Sequence, residues 1–169
     1  MGRPVRFGVV GTGVGATFVA RALKFLREEG VAELVAVTSR REERAKSFAE
    51  EWGAKSWYTN HLEMFRREDL DAAIITTPHY LHFPMAVDAI DSGLHVLVDK
   101  PMAINLKECD EMISRARKRG GKLGVILQSR FDDKVQKIKR LVDEGRLGRL
   151  ILGEARVKWF RTQEYYDKS

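Results

Sequence analysis

A chain of 169 residues, 44% hydrophobic and 32% charged, has room for one soluble globular domain of ordinary size and not for a complete two-domain enzyme. Fourteen Gly and four Pro exclude collagen-like and low-complexity classes, and the single Cys109 cannot close an internal disulfide, so a reducing cytoplasm is the expected location. The net charge of +6 would suit a polyanion, but its distribution points elsewhere: Arg115, Arg117, Lys118 and Arg119 run into Gly120-Gly121 as a cation-rich helix end does, and no aromatic residues interleave with basic ones. No nucleic-acid partner is expected, and with no apolar run near the ~18 to 20 residues that cross a bilayer, no membrane either.

In chain order, the apolar run over residues 6–11 reads as a strand ending in glycines. Gly8, Gly11, Gly13 and Gly15 also argue against the secretory leader that Arg3 and Arg6 superficially suggest, since each would weaken the required helix by up to about 1 kcal/mol. A helical pattern through Phe18, Ala22, Phe25 and Leu26 stops at Gly30, and residues 33–38 read as a buried second strand. Residues 41–52 form a second helix, with Ala45, Phe48, Ala49 and Trp52 on one face, closed by Gly53. A brief strand at 56–58, a short helix at 61–66, a strand at 72–76, a helix at 81–91 and a strand at 95–98 follow. Then come a helix at 106–119, a strand at 123–127 and a helix at 134–144. Apolar strands alternating with helices predict a Rossmann-type, doubly wound α/β fold with a parallel sheet covered on both faces.

Residues 154–159 differ, because charged and apolar positions alternate there with period two, the pattern of a strand with one wet face. Only ten residues follow Trp159, too few to complete such a sheet. The expected division is therefore a nucleotide-binding domain over 1–148 and the opening strand of a truncated α+β second domain over 149–169. Such a piece is expected to bind cofactor without turnover, with an edge that frays or self-associates.

Gly11-Thr-Gly13-Val-Gly-Ala16 fits G-x-G-x-x-A between a strand and a helix. Gly11 permits the turn, Gly13 admits a pyrophosphate, Ala16 lets helix pack on strand, and the helix N-terminus attracts the anion. Where NAD-selective versions end the second strand in an acidic residue, this chain has Ser39-Arg40-Arg41, which suits a 2'-phosphate and predicts NADP over NAD. The competing reading makes Ser39 a helix N-cap and the arginines solvated. Thr76-Thr77-Pro78-His79 and Asp99-Lys100-Pro101 each follow a strand, so both lie at the carboxyl edge of the sheet, where Lys100 is the cation placed to reach a substrate oxygen. His82 reads, on spacing, as structural. No metal site is read.

Together, Gly11-Thr-Gly-Val-Gly-Ala16, Thr77-Pro-His-Tyr-Leu-His82, Gly93-Leu-His-Val-Leu-Val-Asp-Lys-Pro101 and Gln128-Ser-Arg-Phe131 make the chain resemble the nucleotide-binding half of the glucose-fructose oxidoreductase/inositol dehydrogenase (Gfo/Idh/MocA) family, from about residue 5 to the end. The resemblance implies a Rossmann domain followed by an open antiparallel sheet domain, and oxidation or reduction of sugars, inositols or related polyols with a pyridine dinucleotide. It implies Lys100 as the catalytic residue, near both nicotinamide and substrate. It places Gly11, Thr12, Gly13, Val14, Gly15, Ser39, Arg40, Thr77, Pro78, His79, His82, Asp99, Lys100 and Arg130 around the cofactor. Asp99 stands where the family usually has Glu, and His79 where Asn is more frequent. The family's second-domain Asp and His would lie past Ser169, and the full-length protein is expected to be a homo-oligomer. A non-catalytic NAD(P)-binding sensor would share these motifs.

Overall fold

The architecture follows from one alternation: strands whose residues are apolar on both sides need a helical layer on each face. In the computed structural model, which describes residues 2–167, the chain forms two compact units, Met1–Ile126 and Leu127–Ser169. The first contains β1 (Val5–Val10), α1 (Val14–Glu28), β2 (Ala32–Thr38), α2 (Glu42–Trp52), β3 (Ser56–Tyr58), α3 (His61–Arg67), β4 (Ala72–Ile75), α4 (His82–Asp91), β5 (His95–Asp99), α5 (Leu106–Lys118) and β6 (Leu123–Ile126). The strands form one sheet in the order β3-β2-β1-β4-β5-β6, and every pairing is parallel. This is the Rossmann order, with its topological switch point between β1 and β4.

Adjacent strand residues feed opposite cores. Val9, Val37 and Ile74 pack with Ala16, Ala20, Leu23, Phe48 and Ala49, whereas Val10, Ile75 and Val98 pack with Met64, Ile90 and Met112. Each fully buried Val, Ile or Met contributes roughly 1.5 to 3 kcal/mol. The α1 face differs from the periodicity read in the sequence. Ala16, Ala20 and Leu23 turn inward, while Phe18 and Phe25 stay 66% and 63% exposed. Small residues at i and i+4 bring the helix close to the sheet beside its glycine turn, and the bulky rings are left to the outer side.

Asp71 fastens the start of β4 to β1. Its carboxylate accepts hydrogen bonds from the Arg6 amide at 2.8 Å and from the Arg3 guanidinium at 2.6 and 2.9 Å. The Arg6 amide first, and then Arg3, hold the carboxyl below its ordinary range against the opposing effect of burial. A folded-state pKa below the unfolded one stabilises the fold above the ordinary carboxylate range, and that contribution is lost as pH falls through the lowered value. Asp71→Asn is therefore expected to cost about 1 kcal/mol at neutral pH. In urea unfolding at a series of pH values, the gap from the wild type should close on acidification; a gap that stays constant would refute the linkage.

The second unit holds a 3-10 turn (Gln128–Phe131), α6 (Asp133–Asp143) and α7 (Gln163–Asp167). The expected strand at 154–159 is not formed: residues 149–162 carry neither helix nor strand. A strand is defined by its ladder, and no partner for one occurs among the described residues. Among them also, no helix is long and apolar enough to cross a membrane.

Candidate functional site

Strand register decides which loops meet. Val10 is paired with Thr38 on one side and Ile75 on the other, and Ile75 with Val98, so the residues that follow emerge along one edge of the sheet. Those residues are Ser39, Gly11, Thr76 and Asp99.

Gly11 makes the turn. Its φ of +111° lies where L side chains are disfavoured, and its amide donates to the Thr38 carbonyl at 2.9 Å. Thr76 locks the neighbouring strand end, its amide and hydroxyl both donating to the Val10 carbonyl at 2.9 and 3.1 Å. The chain then enters α1 through Gly13, an N-cap with no side chain to satisfy the first amides, and no acidic residue occupies the first turn. Free N–H groups and the positive end of a helix dipole favour an anion at such a position. A Cβ on Gly13 would meet nothing within 4 Å, so its surface is open to a ligand. At Gly15 a Cβ would lie 2.9 Å from Asp99 Oδ2 and 3.6 Å from Thr76 Cβ, so the first turn of α1 touches the ends of both β4 and β5.

Ser39 is not a helix cap. The N-cap of α2 is Arg41, which makes no side-chain capping bond, and the Ser39 hydroxyl instead accepts from Thr12 Oγ1 at 3.2 Å. Its first turn therefore leaves Ser39 at the glycine loop, beside the exposed Arg40. Neither Arg40 nor Arg44 makes an ion pair among the described residues. Arg44 was not singled out in the sequence, yet it lines a cavity of about 590 Å³ with Thr12, Gly13, Val14 and Thr17. The sequence signal for it is position: a further arginine in the first turn of α2, the helix that follows Ser39-Arg40-Arg41.

Beyond β4, Thr77 presents the one buried side-chain polar atom without a partner among the described residues, its Oγ1. An unsatisfied buried hydroxyl costs about 1 to 3 kcal/mol, a cost that a water or a ligand atom at this position would relieve. Pro78 and His79 are exposed at the start of a 3-10 turn. Beyond β5, Asp99 Oδ1 accepts the Lys100 amide at 2.8 Å, and Lys100 is exposed, with no partner for its ammonium among the described residues. The Lys100–Pro101 peptide is cis.

One expected cofactor residue stands apart. His82 is fully buried, with Nδ1 2.7 Å from the Pro101 carbonyl oxygen and Nε2 2.8 Å from that of Thr77, so no ring nitrogen is left to touch a cofactor. Arg130 lies on the 3-10 turn of the second unit. The residues that do come together, the free α1 N-terminus, the open Gly13 and the orphaned Thr77 hydroxyl, fit a phosphate-bearing dinucleotide.

Residues 5–127 match the family described as oxidoreductases with an NAD-binding Rossmann fold. Among curated proteins, 1-carboxy-3-chloro-3,4-dihydroxycyclohexa-1,5-diene dehydrogenase of Comamonas testosteroni is 33% identical over 96% of this chain and 38% of its own length. Myo-inositol 2-dehydrogenase of Thermotoga maritima is 28% identical over 86% of this chain and 42% of its own. Among solved structures, the WlbA dehydrogenase of Bordetella pertussis, in complex with NADH and UDP-GlcNAcA, superposes with a TM-score of 0.92 at 30% identity, covering 99% of this chain and 50% of that one. The chain thus spans half or less of the length of these proteins.

Proposed function

The chain belongs to the Gfo/Idh/MocA oxidoreductase family with its NAD-binding Rossmann fold, and from that premise we propose that it binds a nicotinamide dinucleotide along the carboxyl edge of β1, β4 and β5 and serves hydride transfer to or from a carbinol carbon of a sugar, inositol or related polyol. One observation carries this reading: at Gly15 the first turn of α1 touches the strand ends that bear Thr76 and Asp99, so the anion site and the Lys100 loop belong to a single edge.

The α1 amides and Gly13 hold the pyrophosphate, and the Thr77 hydroxyl takes a polar atom of the cofactor. When bound, the nicotinamide supplies a centre that accepts or gives a hydride. The Lys100 ammonium donates a hydrogen bond to the reacting oxygen of the substrate, orienting it and stabilising the negative charge that develops there. Asp99 holds the Lys100 amide, which steadies the backbone from which that ammonium extends.

We further propose NADP over NAD. Ser39 is already at the glycine loop through Thr12, and Arg40 is free of any carboxylate among the described residues, so hydroxyl and guanidinium are available to a 2'-phosphate. Calorimetric titration with both dinucleotides tests the site and the preference together. Arg40→Asp should weaken NADP by about ten- to a hundredfold, the equivalent of a charge-assisted hydrogen bond, while NAD changes by about twofold or less. Equal wild-type affinities would reject the preference, and no binding of either would reject the site.

A further inference from the structure

We propose that His82 is a positioning residue, a buried two-armed clasp that sets the Thr77 loop and the Lys100-Pro101 loop relative to one another. The inference rests on the reading that this sheet edge binds a dinucleotide, and it adds a role for a side chain that cannot touch the ligand. His82 opens α4 and is 0% exposed. Its two nitrogens reach the Thr77 carbonyl at 2.8 Å and the Pro101 carbonyl at 2.7 Å.

These arms fall where the sheet stops holding the loops. The β4–β5 ladder ends at the pair Ile75 and Val98, and among the described residues no backbone hydrogen bond joins 76–81 to 99–104. The imidazole is the polar link across that gap. Both its partners are carbonyl oxygens, which only accept, so the imidazolium serves both arms at once and the neutral ring one at a time.

What the arms hold identifies the purpose. On one side, the Thr77 peptide is fixed by its carbonyl while its buried hydroxyl is left without a partner, set to meet something that is not protein. On the other, Lys100 is bracketed: its amide is bound by Asp99 and the carbonyl of the next residue by His82, while its ammonium stays free. The exposed His79 ring lies edge-on to His82 at 5.6 Å. An apolar side chain would fill the same space without desolvating an imidazole, so packing alone gives no reason for His here.

The two arms can be cut separately. His82→Leu removes both, His82→Asn keeps an amide near the Nδ1 position and so the Pro101 arm, and His82→Gln keeps one near Nε2 and so the Thr77 arm. Hydrogen exchange is read in the cofactor-free chain, and NADH and NADPH affinity by fluorescence titration, at a temperature where circular dichroism shows each variant folded. His82→Leu should speed exchange about tenfold in both 76–81 and 100–104, with the rest of the sheet unchanged, and weaken the dinucleotide by about tenfold. His82→Asn should restore protection in 100–104 alone, and His82→Gln in 76–81 alone. Should the leucine variant fail to fold, the two amide variants decide the matter by themselves. Unchanged protection and affinity, or a loss of protection spread evenly through the sheet, would overturn the clasp. A wild type that binds neither dinucleotide rejects the functional reading, and the exchange pattern still decides whether His82 joins the loops.

Discussion

Gly11→Ala is expected to destabilise the fold by several kcal/mol and to lose measurable dinucleotide binding, whereas Gly13→Ala should fold normally and lose only the binding. The two glycines serve different physical needs. Gly11 sits at φ +111°, and holding a non-glycine residue in such a region costs of order 1 to 3 kcal/mol. A Cβ there would also stand 2.9 Å from Thr76 Oγ1 and 3.0 Å from the Thr76 carbonyl oxygen. The hydroxyl could rotate away, but the backbone could not. Thr76 is tied to Val10 through both its amide and its side chain, so relief of the clash pulls on the junction of β1 and β4. Gly13 has a negative φ of −86° and nothing within 4 Å of a built Cβ, so alanine is tolerated by the folded chain and intrudes only on what approaches from outside. Thermal unfolding with calorimetric titration of both variants separates the cases. A Gly11→Ala protein as stable as the wild type would contradict the turn argument, and a Gly13→Ala protein with undiminished affinity would remove the pyrophosphate from this loop.

Features governed by local chemistry are legible in the amino-acid sequence. The apolar runs at β1, β2, β4 and β5, each followed by a turn and a helix, allow few arrangements other than a parallel sheet, and the glycine loop marks where its ligand edge lies. What stayed hidden depends on contacts distant in sequence. Two apolar stripes wind around α1, and only the nearness of β1 and β2 selects Ala16, Ala20 and Leu23 over Phe18 and Phe25. Ser39 preceding a helix is chemically a good cap, and only the turn at Gly11 brings Thr12 within reach of its hydroxyl. At 154–159 the alternation is present, but a strand needs a partner that no pattern within it supplies. Spacing alone reads His82 as structural, and only the family resemblance sets it around the cofactor. That its second nitrogen would meet the carbonyl of Pro101, nineteen residues on, is a property of how β4 and β5 pair.

Lys100→Met is expected to lower turnover by about two to four orders of magnitude, the range associated with one well-placed proton-donating group, while dinucleotide affinity changes by about threefold or less. The argument begins with the loop: the Lys100 amide is held by Asp99 at 2.8 Å and the following carbonyl by His82 at 2.7 Å, so the backbone stays in place whatever the side chain. Methionine keeps most of the stem and removes the ammonium, which has no partner among the described residues and contributes nothing to folding through an ion pair. Loss of charge therefore acts on the reacting oxygen and not on the architecture. Lys100→Arg should restore little, because the guanidinium is a longer, planar fork that presents its donors elsewhere. Turnover is to be measured in the protein as expressed from its gene, by following reduced nicotinamide absorbance over a panel of inositols and sugars, with dinucleotide titration run alongside. If Lys100→Met turned over at near the wild-type rate, Lys100 would have no part in the chemistry. If turnover and dinucleotide affinity instead fell together by equal factors, the ammonium would belong to cofactor binding, and the reacting oxygen would need another donor.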